Sequence, residues 1–191
     1  AKMNEANPFT PNQQIKLIRL EAGLLLAASG PDAAEKYLDE RLKPHMKSIP
    51  GLHTMLAFHL DHDQNTKALA LLDNWLKDNP DDLATLTDKG QLLSRLKRHD
   101  EAVEVYQSAL EFANSQEESN LISMVAATYT EKGDFKEALK SIDDAIDRTG
   151  GDNFIFQKAT IYMKMDQHGD AIELFNDLLD DNPNHEEILL N

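Results

Sequence analysis

The sequence predicts an all-α fold, a solenoid of about five antiparallel helix-turn-helix repeats, and three observations carry that prediction. Ala34, Ala68, Ala102, Ala138 and Ala171 recur at intervals of 34, 34, 36 and 33 residues, and a near-fixed period in the thirties marks a solenoid of stacked hairpins. Apolar residues surround each alanine at spacings of three, four and seven, the period of a half-buried helix. Gly30-Pro31, Pro80, Gly133, Gly150-Gly151 and Pro183 fall between these stretches, as turn punctuation does.

Taken in order, residues 1–10 read as an N-terminal tail, and Thr10-Pro11 opens the first helix with a capping hydroxyl and a proline in the first turn. The solenoid runs over 11–184, in repeats of about 11–48, 49–82, 83–118, 119–151 and 152–184. Residues 185–191 begin a further or capping helix, which reads as the start of a segment belonging to a longer protein. Within hairpins, Ser29-Gly30-Pro31-Asp32 and Lys132-Gly133-Asp134 supply turns, glycine for positive φ and aspartate to cap the next helix. Between hairpins stand Asn79-Pro80-Asp81-Asp82, Gly150-Gly151-Asp152 and Asn182-Pro183.

The third hairpin sets the frame, with helices from about Asp82 to Arg95 and from about Asp100 to Phe112. Twelve residues before the register alanine come Ala22, Leu56, Gly90, Ala126 and Ala159. Four after it come Leu38, Leu72, Tyr106, Ile142 and Phe175, and eight after it Leu42, Leu76, Leu110, Ile146 and Leu179. These series predict one continuous core. Gly90 and Ala102 are small because two helices cross there and leave no room for a side chain.

Lysine and arginine total 19 against 34 aspartates and glutamates, a net charge of −15. Such a surface repels phosphate backbones, so a protein or peptide partner is expected and a nucleic acid is not. The longest apolar run, Ala22 to Ala28, is far short of the roughly 18 residues that span a bilayer. With no cysteine there is neither a disulfide framework nor a thiolate zinc site, and the compartment stays open between cytoplasm and a bacterial periplasm or envelope.

The chain resembles the tetratricopeptide repeat family. The resemblance lies in Gly90, Leu93, Ala102, Tyr106, Ala109 and Leu110; in Ala126, Tyr129, Gly133, Asp134, Phe135, Ala138 and Ala145; and in Ala159, Tyr162, Ala171, Phe175 and Pro183. It extends over about residues 13 to 184. Arg41 departs from it at the place of Ala109, as do His59 and Trp75 at usually aromatic and small positions. The resemblance implies a right-handed superhelix whose first helices line a concave groove. Carried onto this chain, the groove is lined by Arg19, His53, Thr87, Asp88, Gln91, Asn120, Ser123, Met124, Ala127, Asn153, Phe156, Gln157, Thr160 and Met163. Gln91, Asn120, Asn153 and Gln157 would bond a partner's backbone, and Met124, Phe156 and Met163 would meet its side chains. Family members that grip a terminal carboxylate carry lysine and asparagine four apart in a first helix. Here the corresponding pairs are Arg19 with Gly23, His53 with Ala57 and Thr87 with Gln91, so that clamp is missing.

Catalytic and metal chemistry find little purchase. His53, His59 and His62 are the densest potential metal ligands, yet His59 occupies a packing position and His62 a turn. Asp61 to Asn65 begins like a calcium loop but has Thr66 for its glycine and Leu72 for its closing glutamate. His185-Glu186 begins like a metalloprotease helix, but Leu189 stands where the second histidine belongs. The acid pairs Asp143-Asp144, Asp180-Asp181 and Glu186-Glu187 point to different helix sides without an enclosing pocket. Trp75 and Phe112 read as core. The chain is therefore expected to be no enzyme and to need no cofactor. It reads as a scaffold or adaptor, with an acidic client chaperone, a substrate-recruiting segment of an enzyme, and self-association through exposed solenoid ends as alternatives.

Overall fold

The structure is a computed structural model and describes residues 9–149 and 151–181. Among these there are ten α-helices and no strand: α1 Pro11–Ser29, α2 Pro31–Leu42, α3 Ile49–Asp61, α4 Asn65–Asp78, α5 Leu83–Arg95, α6 His99–Leu110, α7 Ser115–Lys132, α8 Phe135–Thr149, α9 Asp152–Lys164 and α10 His168–Asp181. Consecutive helices pair as antiparallel hairpins. The chain divides into two compact units, Ala1–Pro80 and Asp81–Asn191. The tail up to residue 8, the expected turn at Asn182-Pro183 and the expected helix over 185–191 lie outside the described residues.

In the first unit α1 and α2 form one hairpin, α3 and α4 the next, and α1 packs beside α3. Its core gathers Ile15, Ile18, Ala22, Ala34, Leu38, Leu42, Met55 and Phe58. In the second unit α6 packs on α7, α8 on α9, and α7 beside α9. Ile122, Ala126, Ala138, Ile142, Ala145, Phe154 and Ile161 form a core there.

The alanine frame is real. All five register alanines have 0% exposure, and the five small or apolar residues twelve before them are all buried. At Gly90 the reason is visible: a Cβ there would stand within 2.7 Å of Cδ1 and Cζ of Tyr106. Eight residues after the alanine the expectation needs correction. Leu42 is fully buried, but Leu76, Leu110, Ile146 and Leu179 are only half-buried. In α6, α8 and α10 the position one earlier, Ala109, Ala145 and Leu178, takes the inner place, because a small side chain there lets the next hairpin approach α6 and α8. Arg41 holds that position in α2 and is exposed. A 3-10 turn, Lys43–His45, intervenes before α3.

The helix ends follow local chemistry. Thr10 accepts from the Gln13 amide while Gln13 returns the bond to the Thr10 amide, a reciprocal cap that satisfies donors left over at a helix start. Asn114 and Glu117 do the same for α7, so this helix starts at Ser115 and the expected repeat boundary at 118/119 falls inside it. Asp82 caps α5 through the Thr85 amide. Asp32 does not cap α2: it lies in the first turn, and Gly30 stands at the cap.

Four hairpin turns share one geometry. Asp63, Lys97, Gly133 and Asp166, each five residues before its register alanine, have φ of 55°, 59°, 88° and 59°. The next amide in each, from Gln64, Arg98, Asp134 and Gln167, donates back to the carbonyl of His59, Leu93, Tyr129 and Tyr162 at 2.8–2.9 Å, the closure of a Schellman turn.

Candidate functional site

The first helices carry the expected groove residues, and each unit presents its own set. In the first unit Arg19 and His53 come together in an open cleft of about 370 Å³ between α1 and α3. Asn12, Ile15 and Lys16 line it from α1, and Pro50, Thr54 and Ala57 from α3. The Thr54 hydroxyl donates to the Pro50 carbonyl at 2.8 Å, which keeps this buried polar group satisfied within its own helix. Lys16 was not foreseen as a groove residue. Its signal was the three-residue spacing to Arg19, which puts two cations on one helix face.

In the second unit the first helices run side by side, joined at equivalent repeat positions. The hydroxyls of Ser94 on α5 and Thr128 on α7 lie 2.9 Å apart, and Gln157 Nε2 of α9 donates to Ser123 Oγ of α7 at 2.8 Å. Both links span 34 residues. Asn120, Ser123, Met124 and Ala127 then share one face of α7, and Asn153, Phe156, Gln157 and Thr160 one face of α9. Gln91, Asn120, Ala127, Asn153, Thr160 and Met163 are exposed, while Thr87, Asp88, Ser123, Met124, Phe156 and Gln157 are half-buried.

Four of the groove side chains already spend a donor within the protein. Gln157 spends its amide on Ser123, and the hydroxyls of Thr87, Ser123 and Thr160 donate to carbonyls four residues back in their own helices. Phe156 packs on Phe175, ring centroids 5.5 Å apart, so much of its ring belongs to its own hairpin.

The three histidines do not converge. His59 is buried and its Nδ1 lies 2.6 Å from Gln64 Oε1. His62 stacks on Phe58 at 4.3 Å and bonds the Phe58 carbonyl, and His53 is exposed in the α1/α3 cleft. Among the described residues no three His, Asp or Glu side chains are grouped as a metal ion requires. Among the same residues no helix is long and apolar enough to cross a membrane.

Aromatic placement also departs from expectation. Phe112 lies past the end of α6 and is 48% exposed, so it is not core. Trp75 is half-buried and forms one wall of a second open cleft of about 680 Å³, together with Met46, Leu52 and Leu71 and a polar rim that includes Asn74 and Asp78. The departure of Trp75 from the small-residue frame was its trace in the sequence.

Stacked helical hairpins with a fixed alanine register and an open first-helix face define a helical-repeat scaffold. Family models described as tetratricopeptide repeat match residues 59–117 and 155–185. Over those residues the chain carries tetratricopeptide repeats, a fold that is typically a non-catalytic scaffold for protein–protein interaction. An uncharacterized protein of Sinorhizobium fredii, y4yS, is 36% identical over 87 residues, which are 46% of this chain and 48% of y4yS. The chain thus spans about half the length of the curated relative it matches. Among solved structures, residues 41 to the end of MamA from Desulfovibrio magneticus RS-1 superpose with a TM-score of 0.62 at 17% identity, covering 91% of this chain and 97% of that one. YrrB, described as a tetratricopeptide repeat protein with an unusual peptide-binding site, superposes with a TM-score of 0.57 at 16% identity over 90% and 88%. At these identities the likeness shows the fold.

Proposed function

We propose that the chain is a non-catalytic scaffold whose first helices bind an extended or helical segment of a protein partner. One observation carries this reading: in the second unit α5, α7 and α9 are tied at equivalent positions by Ser94–Thr128 and Ser123–Gln157. The tie leaves a row of exposed neutral groups, Gln91, Asn120, Ala127, Asn153 and Thr160, along one side. Amide side chains in such a row offer donors and acceptors to a partner's backbone, and small residues between them admit it closely. The peptide-binding site described for YrrB supports a segment as ligand on this fold. The net charge of −15 favours protein over nucleic acid.

The test is retention of a native partner by the full chain and by a Gln91→Ala, Met163→Ala double variant. Both side chains are exposed, so stability should change by less than about 0.5 kcal/mol while retention falls. Equal retention would move the site off the first helices.

A second reading has its own observation. Leu17, Leu20 and Leu24 recur on one face of α1 and are 40%, 69% and 72% exposed, an apolar stripe suited to end-to-end self-association. A mass that stays monomeric at high concentration would remove it.

A further inference from the structure

We propose that the α1/α3 cleft of the first unit takes an acidic segment of a protein partner, whose side-chain carboxylates pair with Lys16 and Arg19. This rests on the reading of the first helices as a binding face and names the chemistry of what binds there.

Charge is unevenly divided along the chain. Residues 1–80 carry nine lysines and arginines against ten aspartates and glutamates, whereas residues 81–191 carry ten against 24. In the second unit several cations are engaged internally: Arg98 pairs with Glu101, Lys132 with Asp100 and Asp134, Arg148 with Glu118, and Lys158 with Asp143. Among the described residues, Lys16 and Arg19 have no carboxylate partner, although both stand in a chain with 34 acids. Among the described residues no carboxylate lines their cleft, and His53 stands on the opposite wall.

The geometry suits two anionic side chains at once. Lys16 and Arg19 stand about 4.5 Å apart along the α1 axis at 1.5 Å per residue. Same-side residues of an extended segment repeat about every 6.5 Å, a difference that long basic side chains absorb. Arginine can grip a carboxylate with two parallel bonds while lysine acts as a point charge. Ile15, Pro50 and Ala57 supply an apolar floor for the residues between. Beyond about 8 Å physiological salt screens the remaining charge, so the groups lining the cleft decide what enters.

The experiment is calorimetric titration of the full chain with a nonapeptide alternating Glu and Leu, N-acetylated and C-amidated so that no terminal carboxylate is present. Saturable binding is expected, weakened more than fivefold when Gln replaces Glu and more than fivefold in the K16E/R19E variant, with the thermal midpoint of that variant unchanged. Absence of binding at millimolar peptide, or a smaller change in either comparison, overturns the proposal. If the Gln peptide binds equally well and the Gln91→Ala, Met163→Ala variant loses it, the first-helix face stands and the acidic specificity falls. Self-association or adhesion to anionic vesicles that K16E/R19E abolishes, without peptide binding, would assign the cleft to a second copy or a lipid surface and overturns the proposal as well.

Discussion

Gly90 on α5 lies directly against the ring of Tyr106 on α6, close enough that an added methyl would meet ring carbons at 2.7 Å. Gly23, in the middle of α1, has nothing within 4 Å of the same virtual methyl. Helix propensity favours alanine over glycine by about 1 kcal/mol at both sites, so the two substitutions should differ in sign. Gly23→Ala is expected to stabilise by up to about 1 kcal/mol. Gly90→Ala should destabilise by about 1–3 kcal/mol through overpacking. Urea unfolding of both variants checks this.

The same crossing gives an overpacking series. Ala102 and Ala138 have 0% exposure, and leucine at either should destabilise by about 1–3 kcal/mol. Unchanged unfolding in both would show that the alanine register is misassigned.

The left-handed residue of each turn predicts a gain. Lys97 has φ 59° at the position that Gly133 holds in the next hairpin, and a side chain in that region carries a penalty of about 1 kcal/mol. Lys97→Gly should therefore raise stability by a few tenths to about 1 kcal/mol, after glycine's own entropic loss. Lys97→Val should lower it, and thermal midpoints of the pair decide.

A polar latch joins the hairpins of the first unit. Gln64 Nε2 donates to Glu35 Oε2 at 2.9 Å while its Oε1 meets His59 Nδ1, and Lys67 pairs with the same Glu35 carboxylate. Gln64→Ala leaves the buried His59 nitrogen unpaired and should destabilise by about 1–3 kcal/mol. The Lys67 ammonium holds the Glu35 carboxyl below its ordinary 4.5 against the opposing effect of burial, and the Gln64 amide helps. A carboxyl with a depressed folded pKa stabilises above its unfolded pKa and loses that contribution as pH falls. Wild type should therefore lose stability below pH 4.5 more steeply than Glu35→Gln, as read from urea midpoints between pH 5 and 3.

Burial pushes the Tyr106 phenol up to about 12, with the Glu131 carboxylate adding to it. The neutral ring is favoured in the folded state, so this contribution is whole below the unfolded value of about 10 and disappears as pH rises towards 12. Relative to Tyr106→Phe, wild type should lose about 2–3 kcal/mol between pH 9 and 12. Parallel alkaline unfolding curves for the two proteins would contradict it.

Much of the fold was legible because its determinant is steric and periodic. Five alanines at helix crossings and the glycine against Tyr106 leave a direct imprint on residue size. Turns were less legible: glycine announced Gly133, but Asp63, Lys97 and Asp166 adopt the same conformation without it, since the backbone bond that closes each turn needs no particular side chain. Phe112 misled because apolar spacing continues past the point where α6 ends. The groove residues could be placed on first helices, yet whether a side chain was free for a partner depended on neighbours 34 residues away, as Gln157 and Ser123 show. Lys16 shares a helix face with Arg19 by its three-residue spacing, but that it lines a cleft with His53 across from it is visible only in the folded chain.

The central claim is that the first helices are the binding face. A photoreactive benzophenone amino acid can replace Ala127, exposed on α7, or Lys140, exposed on α8, in the full chain inside its native cell. Irradiation should link position 127, and not 140, to a protein partner. Adducts at 140 with none at 127 would contradict the account.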